Sequence, residues 1–160
     1  LNAPEIEAVL AHELGHFKRH HVIKRILWTF AMSLAFLWLL GYLMKQDWFY
    51  QGLGVFTSNE ALSTISSPST AMALLLFFLV MHTFTFLFQP LSSLYSRKHE
   101  FEADAYAVEK ASASDLIQAL VKLYQDNAAT LTPDPLHSAF YDSHPPASVR
   151  IARLQNLAHN

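Results

Sequence analysis

The chain lacks cysteine altogether, holds only four glycines, and carries charge on just 15% of its 160 residues. Without cysteine there is no disulfide scaffold, no thiolate-ligated zinc finger and no thiol nucleophile. Eleven Lys and Arg against thirteen Asp and Glu give a formal net charge of −2 and no basic stripe, which excludes a nucleic-acid partner. Soluble domains carry roughly 25% charged residues. The shortfall here, with 52% apolar residues, excludes a disordered or acidic-tail protein. No internal repeat, low-complexity tract or convincing strand run is present. What the chain does have is apolar helical sequence and nine histidines.

Nineteen uncharged residues run from Ile26 to Met44, and eighteen from Ala71 to Phe88. At ~1.5 Å per residue these make helices of about 28 and 27 Å, close to the ~30 Å hydrocarbon core of a bilayer. Both read as transmembrane helices rather than as the core of a soluble protein. His82 lies inside the second and is expected to bond a neighbouring helix. Residues 1–25 are too polar for a signal peptide. The chain opens on Leu1 and is expected to be an excerpt from a longer protein. Lys18, Arg19, Lys24 and Arg25 precede the first span, and Arg97 and Lys98 follow the second, whereas the connector holds only Lys45. This asymmetry predicts that both polar ends are cytoplasmic. The connector, residues 45–70, is turn-rich and predicts no helix of its own.

The polar ends also read as helices. Asn2 can cap a helix over residues 3–25, with Pro4 in the first turn and Glu5 and Glu7 at the positive end of its dipole. A second is expected over 92–111, with Pro90 a possible kink, and a third from Ser114-Asp115 to Asp126. Asn127 to Ser143 reads as a loop. Pro145-Pro146 then opens an amphipathic helix with Val149, Ile151, Leu154 and Leu157 available for packing.

The motif that carries chemistry is His12-Glu13-Leu14-Gly15-His16, the His-Glu-x-x-His pattern. Residues four apart lie one turn apart on one helix face, so two imidazoles can grip a single ion. Glu13, beside them, can act as general base toward water on that ion. A hydrolytic zinc wants a third protein ligand and one open position. Glu100 is the best candidate, and Glu100 and Asp104 are again one turn apart. One can bind metal while the other orients a ligand imidazole. His16 and Glu100 lie at similar helical distances from their respective spans, which favours a shared site on one side of the membrane.

These blocks have a familiar order. His12-Glu13-Leu14-Gly15-His16, then Ser96 through Asp104, then Pro133-Asp134-Pro135-Leu136 leading to Ser143-His144-Pro145-Pro146 and Arg150, resemble the integral-membrane CAAX prenyl endopeptidases, which are gluzincin zinc metalloproteases. The resemblance spans essentially the whole chain. It implies one Zn2+ held by His12, His16 and Glu100, with Glu13 as general base and Asp104 supporting a ligand from behind. It also implies that His144 and Arg150 hydrogen-bond substrate and the tetrahedral intermediate. From the residues alone, His144 reads as a loop histidine and Arg150 as a surface charge.

The expected architecture is all-α: one metallopeptidase domain, residues 1–160, with two transmembrane helices inserted between the zinc-ligand helices. Its parts are 1–25, 26–44, 45–70, 71–88, 92–127 and 128–160. The family carries further membrane helices before the metal helix, and these missing N-terminal helices are expected partners. So are the lipid bilayer and a peptide or protein substrate, prenylated or membrane-inserted. The expected location is the inner membrane in a bacterium or the endoplasmic reticulum in a eukaryote. The rival reading is a heat-shock-type membrane quality-control protease with the same metal plan. A di-iron bundle would need a second Glu-x-x-His unit, which the sequence does not supply. An inactive membrane scaffold would have no need of Glu13. His20 and His21 read as solvated or interfacial, His99 as pointing about 100° away from Glu100 on its helix, His137 as a loop residue and His159 as terminal. Arg97 reads either as a membrane anchor or as an ion-pair partner in the site.

Overall fold

The computed structural model describes residues 1–55, 70–127 and 133–158. Seven helices and no strand occur among them: α1 (Ala3–Lys18), α2 (His21–Leu43), α3 (Asp47–Gly52), α4 (Thr70–Lys110), α5 (Ala113–Asp126), α6 (Pro135–Tyr141) and α7 (Ala147–Ala158). The all-α expectation holds. The rest of the connector, 56–69, and the stretch 128–132 lie outside the described residues, as does His159.

The chain divides into two compact units, one of residues 1–25 and 88–160, the other of residues 26–87. The second contains most of α2, all of α3 and the first part of α4. Its core joins Leu40, Phe49, Tyr50, Ala73, Leu76 and Phe77. The Tyr50 hydroxyl donates to the Met44 carbonyl at 3.0 Å, tying α3 back to the end of α2. The connector therefore does hold a short helix: Asp47 sits in its first turn, where an acidic group favours a start. α2 and α4 are both long and apolar enough to cross a membrane, with mean hydropathy of 1.9 and 2.2 in their most apolar stretches. Only 6% of that stretch is buried in α2 and 17% in α4, so neither is the covered core helix of a soluble protein.

In the first unit a small-residue seam brings the helices together. Ala8, Ala11, Ala107, Leu116, Leu120 and Leu154 form its core. α1 opens on a capping box: Glu5 N donates to the Asn2 side chain at 2.9 Å and Asn2 N to the Glu5 carboxylate at 2.8 Å. Glu5, Ala8, Ala11, His12 and Gly15 make its buried stripe. α5 is capped by Ser112 and packs on both α1 and α7.

Three boundaries differ from the sequence expectation. The helix expected over 3–25 stops at Lys18, because His20 adopts a left-handed conformation (φ 55°) and α2 begins at His21. α4 runs unbroken through Pro90 from the apolar stretch into the segment expected to start at 92. The loop expected from 127 to 143 contains α6. Its cap is Asp134, whose Oδ1 accepts from Leu136 N at 3.0 Å and His137 N at 2.9 Å, and Pro135 takes the first turn, where a missing N–H costs nothing.

Candidate metal centre

All the sequence-proposed site residues belong to the first unit. His12 and His16 project from α1 one turn apart, and Glu100 and Asp104 likewise from α4. Gly15 lets the two helices meet. A β-carbon there would lie 2.9 Å from the Ala103 Cα and 3.0 Å from its carbonyl oxygen.

At that crossing the donor groups of three residues converge, one ligand atom of each lying within 4.8 Å of the others. His12 Nε2 is 3.2 Å from His16 Nε2 and 3.6 Å from Glu100 Oε2, and His16 Nε2 is 3.4 Å from Glu100 Oε1. Bonds of about 2.0–2.1 Å at a tetrahedral angle separate zinc donors by about 3.3–3.4 Å. The spacing matches. A distance of 3.6 Å is too long for a hydrogen bond, so the set is better described as three donors around one point than as pairwise bonds. The two nitrogens and one carboxylate are also the donor types a catalytic zinc site uses.

Behind the donors stands a buried ionic frame. Asp104, 1% exposed, lies 2.9 Å through Oδ1 from His12 Nδ1. An Nδ1–H donated there leaves the Nε2 lone pair facing the donor cluster. Arg150 grips the same carboxylate with two nitrogens, Nε at 2.9 Å from Oδ2 and Nη2 on Oδ1. Its Nη1 also lies 3.3 Å from Glu100 Oε2. Burial alone would lower the pKa of Arg150, but the Asp104 hydrogen bonds and charge outweigh it and raise it, so the guanidinium stays charged. Burial pushes the His16 imidazole below its ordinary pKa against the pull of Glu100, which favours the neutral, ligating form.

His144 and Glu13 are placed differently. His144 reaches the cluster from the His-Pro-Pro segment, Nε2 3.4 Å from Glu100 Oε1, yet its side chain is 62% exposed. Glu13 lies on the exposed side of α1 next to the pair, close enough for its charge to act on His16. A cleft of about 550 Å³ opens at His144, lined also by Tyr124, Asp134, His137 and Tyr141.

Further residues surround this site. Arg97 donates to the Asp142 carbonyl at 3.3 Å and to Ser138 Oγ at 3.4 Å, so it holds the segment that carries His144. His21, expected to be solvated or interfacial, is buried, as is His99, and the two stack with ring centroids 4.1 Å apart. Arg150, a surface charge from the residues alone, is 5% exposed.

Comparison with known proteins bears on this geometry. The sequence pattern of peptidase family M48 matches residues 1–158. The CAAX prenyl protease 1 of Saccharomyces cerevisiae is 30% identical over 159 residues, covering 96% of this chain and 35% of that protein. An Arabidopsis thaliana CAAX prenyl protease 1 homolog is 36% identical over 155 residues, with coverage of 96% and 34%. The crystal structure of S. mikatae Ste24p superposes with a TM-score of 0.77 at 30% identity, over 93% of this chain and 36% of that one. The chain thus spans about a third of the length of these relatives. With the family pattern running almost end to end, this chain belongs to peptidase family M48.

Proposed function

We propose that the chain is the metal-binding catalytic portion of a zinc-dependent membrane endopeptidase whose substrates are prenylated peptides. The observation that carries this reading is the convergence of His12, His16 and Glu100, the two Nε2 atoms 3.2 Å apart and each within 3.6 Å of a Glu100 oxygen. The CAAX prenyl proteases similar to this chain support the substrate class. The basic residues flanking the apolar helices support a site on the cytoplasmic face.

His12, His16 and Glu100 would hold the ion. Bound there, zinc would polarise the scissile carbonyl and acidify a water molecule. Glu13 takes the proton from the attacking water and returns it to the leaving amine, a role suited to an exposed carboxylate beside the ligand pair. His144, still largely open to solvent, donates from its imidazole to the oxygen on which negative charge develops. Arg150 has its fork on Asp104 and Glu100, so it holds those carboxylates in place and supplies positive charge from behind the site. The cleft at His144 offers room for a substrate side chain.

The test uses the full-length protein in liposomes with a farnesylated peptide and its unprenylated twin. Preferential cleavage of the lipidated peptide is expected, with Glu13→Gln abolishing turnover while retaining zinc. Equal rates on both peptides would overturn the substrate class, and preferential cleavage of misfolded membrane proteins would favour a quality-control role instead. Full turnover by Glu13→Gln would overturn the mechanism.

A further inference from the structure

Both ring nitrogens of His16 are engaged, and the second engagement leads away from the metal centre. Its Nε2 faces His12 and Glu100, while its Nδ1 lies 3.0 Å from His21 Nδ1. His21 in turn places Nε2 3.0 Å from Glu102 Oε2. His21 is 3% exposed and lies flat on His99, their planes 10° apart, with Tyr95 edge-on to His99 at 4.3 Å. The left-handed turn at His20 starts α2 at the point that returns residue 21 to the end of α1.

We propose that His21 and Glu102 form a brace that fixes the tautomer and ring plane of His16. This rests on His16 being a zinc ligand. If Nε2 offers its lone pair to an ion, Nδ1 must carry the hydrogen and donate it to His21 Nδ1. His21 Nε2 must then carry its own hydrogen and donate to Glu102. Every hydrogen in the chain is thereby assigned, running outward to a carboxylate. His12 reaches the same end in one step through Asp104. Glu102 lies two positions from Glu100 and points about 200° away around α4, so it needs an intermediary to serve the same cluster. His21 is that intermediary, a positioning residue rather than a catalytic one.

Zinc affinity of the full-length protein in detergent, measured by competition with a chromophoric chelator, tests the brace. His21→Ala leaves the His16 Nδ1–H without its acceptor and should weaken zinc binding about 10- to 100-fold. His21→Asn keeps an oxygen near the position of Nδ1 but loses the stacked ring, and should recover most of that loss. Glu102→Ala should weaken binding less than His21→Ala, about tenfold. The absorption spectrum of the cobalt-substituted protein should shift in His21→Ala and return toward wild type in His21→Asn. Helical content by circular dichroism separates these effects from misfolding. A folded His21→Ala with wild-type affinity and spectrum would overturn the brace, as would a His21→Asn as weak as the alanine variant, which marks mere packing. Failure of the wild-type protein to bind zinc would instead overturn the metal-centre reading on which the brace rests.

Discussion

Replacing Gly15 by alanine inserts one methyl group where α1 and α4 meet. Its carbon would sit 2.9 Å from the Ala103 Cα, 3.0 Å from the Ala103 oxygen and 3.2 Å from the Tyr106 Cβ. Carbon atoms pack comfortably at about 3.5–4.0 Å, so the helices must part by at least ~0.6 Å. The obstructing atoms are mainly backbone, which no side-chain rotation can move aside. Helix propensity works the other way, favouring alanine by about 1 kcal/mol. Overpacking costs about 1–3 kcal/mol, and the steric term should win. Metal ligands tolerate displacements of about 0.2 Å, while Gly15 adjoins His16 and Ala103 lies between Glu100 and Asp104. The separation thus falls directly on the donor set. Gly15→Ala should weaken zinc binding roughly 5- to 150-fold, the ratio equivalent to 1–3 kcal/mol, and lower the thermal midpoint. Chelator competition and thermal unfolding on the full-length protein measure both. Gly41, where an added β-carbon meets nothing within 4 Å, is the matched control and should tolerate alanine. Unchanged affinity and midpoint in Gly15→Ala would refute the claim that this contact sets the donor spacing.

Other substitutions test the frame around the site. Arg150→Lys keeps the charge but cannot grip Asp104 with two nitrogens, and should cost about 1–3 kcal/mol of stability, read by chemical or thermal unfolding. The hydrogen bond from Lys122, aided by the Asn2 backbone, holds the Glu5 carboxyl below its ordinary value of 4.5. A depressed folded-state pKa contributes stability that is whole above the unfolded value and is lost as pH falls through the folded one. Glu5→Gln should therefore flatten the decline of stability below pH 4.5 in acid titrations. At His20 the left-handed backbone costs a non-glycine residue about 1–2 kcal/mol. His20→Gly should be neutral or raise the thermal midpoint, while His20→Val should lower it.

The metal pair was legible because four-residue spacing on a helix is a local property. Glu100 was legible as a chemical type at a suitable distance from a span, and the resemblance gave it the ligand role and Asp104 the supporting one. Partners set by tertiary folding were not legible. Arg150 meets Asp104 across 46 positions, and on α7 alone it looks like any solvated charge. His21 meets Glu102 across 81 positions, and its importance depends on a bend at His20 that no glycine or proline announces. The missed helix α6 is a different case, since Asp134-Pro135 is a strong start signal that the surrounding prolines and polar residues outweighed. Gly15 and Ala103 carried a usable hint: two small residues, one beside His16 and the other beside Asp104.

The span of chain between His21 and Glu102 also has a temporal meaning. A ribosome adding roughly 5–20 residues per second takes several seconds to cross it, and both apolar segments emerge in that interval. The nascent chain has its two imidazoles early but no Glu100 carboxylate to complete the trio until both apolar segments have been made. Assembly of the proposed metal centre therefore follows the synthesis of both apolar segments and cannot precede it.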